Sequence, residues 1–270
     1  MIMAELTKSV KKTVNVEGGV LAYEVAGTGP AVLCLPSLGD TRREYERLTP
    51  ALVEAGYQVI TTDLRGMGES RGKFRSHNLR DLTNDIKTIL DAEKVTEAHL
   101  VACSVSGASA GLFAVENPAR VKSLIMFNPI MHTGSRLTTA LMVTALRTPG
   151  LGRQIWSSYF KSLYPSRPVE PEYLAQVVAE TRKPGAMKSI ADMCATPRID
   201  REISQIKVPA LIFFGSKDPD FKNAAQEAEL VQREIPQAQV NVLEGLGHYP
   251  QREKPEAVLP QVLECLKARG

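Results

Sequence analysis

Short apolar runs alternate along this chain with longer stripes of helical period, a pattern that predicts a layered α/β fold. Residues 14–16 and 20–25 flank Glu17-Gly18-Gly19, two strand-like runs about a glycine turn, and predict a β-hairpin. Residues 31–35 are apolar throughout, as in a strand covered on both faces. Further strands are predicted at 57–61, 99–102, 121–127, 210–214 and 239–243. Helical segments lie between them. Thr49-Pro50 predicts a helix start, with Thr49 as N-cap, Pro50 first in the helix and Gly56 as its stop. Asn78 precedes a stripe of Leu79, Leu82, Ile86 and Ile89. Residues 108–115 form a small-residue helix ended by Asn117-Pro118, and 223–234 predict another. Pro255 opens a last helix, with Pro260 inside it as a candidate kink.

This rhythm predicts a mostly parallel central sheet with helices on both faces. It breaks between residues 132 and 184. There the stripes are helical with no strand between them: Leu137, Leu141 and Leu146, then Ile155, Trp156, Tyr159, Phe160 and Leu163, then Leu174, Val177 and Val178. Extra core helices would give the same periodicity. The clustering of aromatic residues favours an inserted helical cap, dividing the chain into core 1–131, cap 132–184 and core 185–270.

A formal charge of +3, without a basic run interleaved with aromatics, calls for neither nucleic acid nor an anionic membrane as partner. No window has the apolar length of a membrane span, and residues 1–12 lack the apolar stretch of a secretory signal. Cys34, Cys103, Cys194 and Cys265 are scattered without metal-ligand spacing. They read as free thiols, so the expected location is cytoplasmic and no metal is expected.

Three loops that follow predicted strands carry candidate chemistry. Leu100-Val101-Ala102-Cys103-Ser104-Val105-Ser106-Gly107 runs from a strand through a serine into a helix. A nucleophile there stands on a sharp turn with its side chain clear of the backbone, provided its neighbours two residues away are small. Ala102 and Ser106 are small. Ser106 is a rival, but choosing it would put polar Ser104 at the end of the strand. Ser104 as a mere helix N-cap is the plainer reading of that one motif. Next, residues 210–214 lead to Gly215 and then Asp218, an acid placed to orient a histidine; Asp220 is the lesser rival, and a turn-capping Asp is the plain alternative. Finally, residues 239–243 lead through Gly245 and Gly247 to His248, the group suited to take and return a proton near neutral pH. His77, His99 and His132 read as structural, with His132 also able to line a pocket. The three signals weigh far more together than singly. For an oxyanion hole, Val105 N–H follows the nucleophile, and Leu38 N–H in the loop after residues 31–35 is the second candidate donor.

With these motifs, and with Asp63-Leu64-Arg65-Gly66-Met67-Gly68-Glu69-Ser70 and Glu253-Lys254-Pro255-Glu256, the chain resembles the α/β-hydrolase superfamily in its serine-nucleophile, esterase-like branch, from about Val14 to the last helix. The resemblance implies an α/β-hydrolase fold and a Ser104–Asp218–His248 triad. It implies cleavage of a small-molecule carboxylic ester through an acyl-enzyme, with no cofactor. C–C, amide or perhydrolase chemistry with the same parts, or a hydrolase-like small-molecule receptor, are its alternatives. Members that attack with a carboxylate carry Asp at the nucleophile position, where this chain has Ser104. The superfamily's other acid position, after the sixth strand, is Asn128 here. Two departures stand out: Pro36-Ser37 replaces the usual His-Gly of the oxyanion loop, and Ala102 and Ser106 replace the usual elbow glycines. Ser37, Trp156, Tyr159 and Phe160 are expected to contact substrate.

Overall fold

The computed structural model describes residues 9–268, so most of the polar lead-in read at 1–12 lies outside the described residues. Eight strands form one sheet: β1 (Val10–Val16), β2 (Gly19–Ala26), β3 (Ala31–Leu35), β4 (Gln58–Thr62), β5 (Ala98–Cys103), β6 (Val121–Phe127), β7 (Ala210–Gly215) and β8 (Gln239–Leu243). Their spatial order is β1-β2-β4-β3-β5-β6-β7-β8. β1 pairs antiparallel with β2, and β2 with β4. From β4 to β8 every pairing is parallel.

β3, β5 and β7 are buried at every position, which is why their sequences are apolar, apart from His99 in β5, rather than alternating. Successive side chains still point to opposite faces. Leu33, Leu100, Leu124 and Ile212 enter one core cluster, while Val32, Val101, Ile125 and Leu211 enter another. Helices cover both: α1 (Thr49–Glu54), α2 (Leu79–Ala92), α3 (Val105–Glu116), then α4 (Arg136–Arg147), α5 (Leu151–Ser162), α6 (Pro171–Glu180) and α7 (Ala186–Ala195), and finally α8 (Ala224–Glu234), α9 (Pro250–Glu253) and α10 (Pro255–Lys267). Asn78 caps α2 reciprocally with Asp81, a device worth about 1 kcal/mol. Asn223 caps α8 through the amide of Gln226.

Two local expectations are corrected. Leu48, not Thr49, is the N-cap of α1, and the Thr49 hydroxyl donates back to Tyr45 O at 2.9 Å. On α4 the stripe does not face the core: Leu137 and Leu141 are 71% and 65% exposed, and only Leu146 is buried.

Helices α4 to α7 all lie between β6 and β7, where the strand-helix rhythm breaks. The parallel register aligns the carboxyl ends of the strands. Leu35 faces Ala102, Cys103 faces Phe127, Phe127 faces Phe213, and Gly215 faces Leu243. The loops that leave these ends therefore gather along one edge of the sheet, the place where open parallel sheets bind ligands.

Candidate active site

Ser104 sits between β5 and α3 with φ 57° and ψ −128°. A non-glycine residue at such a φ is strained by about 1–3 kcal/mol and persists only where its surroundings fix it. Here Ser104 N–H donates to Phe127 O at 3.0 Å, and Ser104 O accepts from both Gly107 N–H and Ile130 N–H. Ser106, the rival, is fully buried, and its hydroxyl donates to Pro36 O at 2.5 Å. That bond ties the helix start to the neighbouring loop and occupies the group.

His248 Nδ1 lies 2.7 Å from Asp218 Oδ2 and 3.5 Å from Asp220 Oδ2. Burial disfavours the imidazolium, but the charges and hydrogen bond of Asp218, then Asp220 and Glu44, overcome it and hold the pKa up at about 9. The His248 loop and the end of β7 are held together by Asn128, a residue at φ 43° just after β6. Its amide donates to Gly247 O and His248 O, and its carbonyl accepts from Gly215 N–H. Cys103, beside the nucleophile, is fully buried, and its thiol donates to His248 O. Burial and the charge of Glu44 push that thiol well above its ordinary pKa, so it is held un-ionised.

A cavity of about 310 Å³ opens onto these groups. Ser104, His248, Leu38 and Val105 line it. Among the described residues neither Leu38 N–H nor Val105 N–H has a backbone acceptor, and both residues line the cavity. No hydrogen bond joins Ser104 Oγ to His248 among the described residues; in unliganded active sites this contact is commonly long and tightens when substrate is bound.

The loop 36–41 is fixed from beneath by groups that motif reasoning missed. Ser37 N–H donates to Glu44 Oε2 at 2.6 Å, and Ser37 Oγ shares a 2.5 Å hydrogen bond with Tyr249 OH. Gln251 donates to the other Glu44 oxygen. Asp40 accepts from Tyr173 OH and from Thr41 N–H. Asp40 and Glu44 are both fully buried, and burial raises both carboxyls. Gly39 carries the positive φ of this loop, +76°, and the indole ring of Trp156 occupies the space a Cβ would need.

Of the residues expected to contact substrate, Ser37, Trp156 and Tyr159 line the cavity, with the Ser37 hydroxyl already engaged. Tyr159 OH also donates to Asp220. Phe160 does not line the cavity. It is fully buried and packs on Tyr164, Tyr173 and Tyr249, because one helical step past Tyr159 turns its side chain toward the core. His132 lines the cavity and is gripped by Glu227 and Glu234, while His77 and His99 are buried partners of Ser189 and Ser123. Asp218, Asp220 and His248 are also the one acidic and imidazole group among the described residues with ligand atoms close enough to hold an ion, all within 4.8 Å. A metal bound at Nδ1 would have to displace the Asp218 hydrogen bond.

Residues 28–255 match the family described as serine aminopeptidase, S33. The chain is 25% identical over 247 residues to 3-oxoadipate enol-lactonase 1 of Acinetobacter baylyi, covering 90% of this chain and 91% of that protein. It is 28% identical over 297 residues to 2-hydroxy-6-oxononadienedioate/2-hydroxy-6-oxononatrienedioate hydrolase of Comamonas testosteroni, covering 98% and 99% of the two chains. A solved hydrolase structure from Pseudomonas aeruginosa superposes with a TM-score of 0.83 at 25% identity, over 95% of this chain and 98% of that one.

Proposed function

This chain belongs to the serine aminopeptidase S33 family of α/β hydrolases, and from that premise we propose that it cleaves a carboxylic ester of a small molecule through an acyl-enzyme on Ser104. The observation that carries the reading is the strained Ser104 facing the same cavity as a histidine whose Nδ1 is held 2.7 Å from a buried aspartate.

In this reading Ser104 Oγ attacks the acyl carbon. His248 Nε2 takes the serine proton and returns it to the departing alkoxide, while Asp218 fixes the ring and stabilises the imidazolium. The amides of Leu38 and Val105 receive the developing oxyanion, each worth on the order of 3 kcal/mol of barrier. Water activated by His248 then releases the acid. The insertion supplies the cavity's outer wall through Trp156 and Tyr159. Because α7 packs with α4 and follows without an intervening strand, we draw the cap through Ala195, beyond the limit of 184 set by sequence. Cys34, Cys103 and Cys194 are free thiols, which supports a reducing compartment, and no helix among the described residues is long and apolar enough to cross a membrane.

Ser104→Ala is expected to remove turnover of p-nitrophenyl esters by several orders of magnitude while the thermal midpoint stays near wild type. A fluorophosphonate probe is expected to label Ser104 in the parent protein. Labelling at Ser106, or full activity in Ser104→Ala, would overturn the assignment.

A further inference from the structure

Arg198 stands on the wall of the cavity, in the segment between α7 and β7. Its Nη1 donates to Met193 O and Thr196 O. Its Nε is buried and has no hydrogen-bond partner. Among the described residues no carboxylate forms an ion pair with the guanidinium. Asp200, the acid whose charge acts on it, is committed to Thr133, accepting from its amide at 2.9 Å and its hydroxyl at 2.5 Å. The chain's other half-buried cations are paired: Arg42 with Asp63, Arg65 with Asp85, Arg71 with Glu180. A largely desolvated guanidinium without an anion is costly, and a buried donor left without a partner calls for an explanation.

The surroundings supply one. At the catalytic end Asp220 sits against His248 and Tyr159. Arg198 lines the same cavity with the hydroxyl residues Thr133, Thr138 and Thr196 and with apolar Trp156 and Met142. Charge from Cys194 and Asp200 acts on Arg198, and among the described residues no ion pair joins it to Asp220.

We propose that the cavity takes acyl substrates bearing a carboxylate remote from the scissile carbonyl, and that the Arg198 guanidinium receives that carboxylate. This rests on the ester-hydrolase reading of the same site. The chemistry is unchanged: the ester C–O bond breaks as the Ser104 Oγ–acyl bond forms, the proton passing through His248 to the leaving alcohol. Water then cleaves the acyl-enzyme, releasing a dicarboxylic acid. A planar guanidinium suits such an anion because it meets a carboxylate through paired N–H donors. A carboxylate beside His248 would instead meet the like charge of Asp220.

The test compares p-nitrophenyl hydrogen adipate with p-nitrophenyl hexanoate, and the corresponding shorter and longer pairs. With the parent protein kcat/KM is expected to favour the carboxylated member of at least one pair by on the order of tenfold or more, chiefly in KM, and added salt is expected to shrink that ratio. In Arg198→Gln the ratio is expected to fall by on the order of tenfold, and Arg198→Lys is expected to retain more of it than Arg198→Gln. Equal ratios in the parent and Arg198→Gln, or preference for the neutral ester in every pair, would overturn the proposal. Because Arg198 also holds the end of α7, calorimetric binding of both esters to Ser104→Ala provides a second readout with the arginine intact. Tighter binding of the carboxylated ester there supports the proposal, and equal or weaker binding overturns it. That measurement needs no turnover. A protein that binds the carboxylated ester selectively yet hydrolyses no ester would fail the proposed function and keep the anion site.

Discussion

At His248 two carboxylates compete for one ring nitrogen, Asp218 at 2.7 Å and Asp220 at 3.5 Å. Their combined field raises the folded-state pKa to about 9, against an ordinary histidine value of 6.5. A raised pKa keeps the ring protonated over a wider range, and a protonated ring cannot accept the serine proton. The rate should therefore climb with pH through the neutral region, with kcat/KM reaching half its plateau above 6.5 and toward 9. A pH profile of the parent protein checks this; a midpoint at or below 6.5 would contradict it. Asp220→Asn should move the midpoint down with a modest loss of plateau rate, whereas Asp218→Asn should also lose the ring's orientation and cost orders of magnitude in kcat. A second prediction concerns Glu44. Glu44→Ala leaves the Ser37 amide buried without an acceptor, which should cost about 1–3 kcal/mol of stability. It should also loosen the loop that presents Leu38, lowering kcat more than it raises KM; a change in KM alone would count against it. That Ser104, Asp218 and His248 would gather at the carboxyl ends of the strands was legible in sequence, because each follows a strand within a local motif. Glu44 and Arg198 were not. Among 30 acidic and 33 basic residues nothing local marks the ones the fold buries, since their partners lie far away in sequence. The Pro36-Ser37 and Ser106 departures, read separately in sequence, prove to be in contact, through the Ser106 Oγ bond to Pro36 O.

Among the elements, α5 divides its aromatic residues between two tasks. Trp156 and Tyr159 face the cavity, and Phe160 faces a ring cluster with Tyr164, Tyr173 and Tyr249. Trp156→Ala enlarges the cavity and removes the ring that rests on Gly39, so it should shift the preferred acyl length in a chain-length series of p-nitrophenyl esters. Phe160→Ala should leave that relative preference alone and lower stability by about 3–5 kcal/mol in chemical denaturation. An altered length preference in Phe160→Ala with little loss of stability would reverse the assignment. Period alone told that this segment was a helix, because it buries one side. It did not tell which neighbouring aromatic meets solvent space and which meets core, since Tyr159 and Phe160 differ by a single step on the same helix. The same limit appears on α4, where Leu137 and Leu141 have helical spacing yet remain exposed. Strands were better defined: β3, β6 and β8 fall on the predicted spans, because complete burial leaves an unbroken apolar run in β3 and nearly so in β6, and turn residues bound all three. Asn78 likewise announced α2 through its cap, whereas the Thr49-Pro50 start was displaced by one residue when the Thr49 hydroxyl found Tyr45 O instead.

Over the whole molecule, Asp40, Glu44 and His132 push stability the same way with pH, while His99, held down at about 4 by burial, acts in the opposite sense. Burial raises the carboxyls of Asp40 and Glu44, so the folded state resists ionising them while the unfolded chain does not. Stability therefore declines as pH rises from the ordinary carboxyl range. His132 adds a contribution that can be isolated. It lies after β6 at the edge of the cavity and hydrogen-bonds Glu227 at 2.8 Å and Glu234 at 2.9 Å on α8, joining the loop that leads into the inserted helices to the second half of the core. The Glu227 hydrogen bond, opposed by partial burial and reinforced by the charge of both glutamates, raises its pKa to about 9. The sign follows from linkage: a group more basic in the folded state than at its unfolded value of 6.5 stabilises fully below 6.5, and that stabilisation is lost as pH climbs to 9. Neutral His132 can donate from only one nitrogen, so one glutamate then loses its partner. Thermal midpoints measured across this window for the parent protein and His132→Gln should differ most below 6.5 and converge near 9. His248 titrates over the same range but is present in both proteins, so the difference between them reports His132 alone. A difference that stays constant from the acid side through 9 would mean that His132 acts by packing and not by charge.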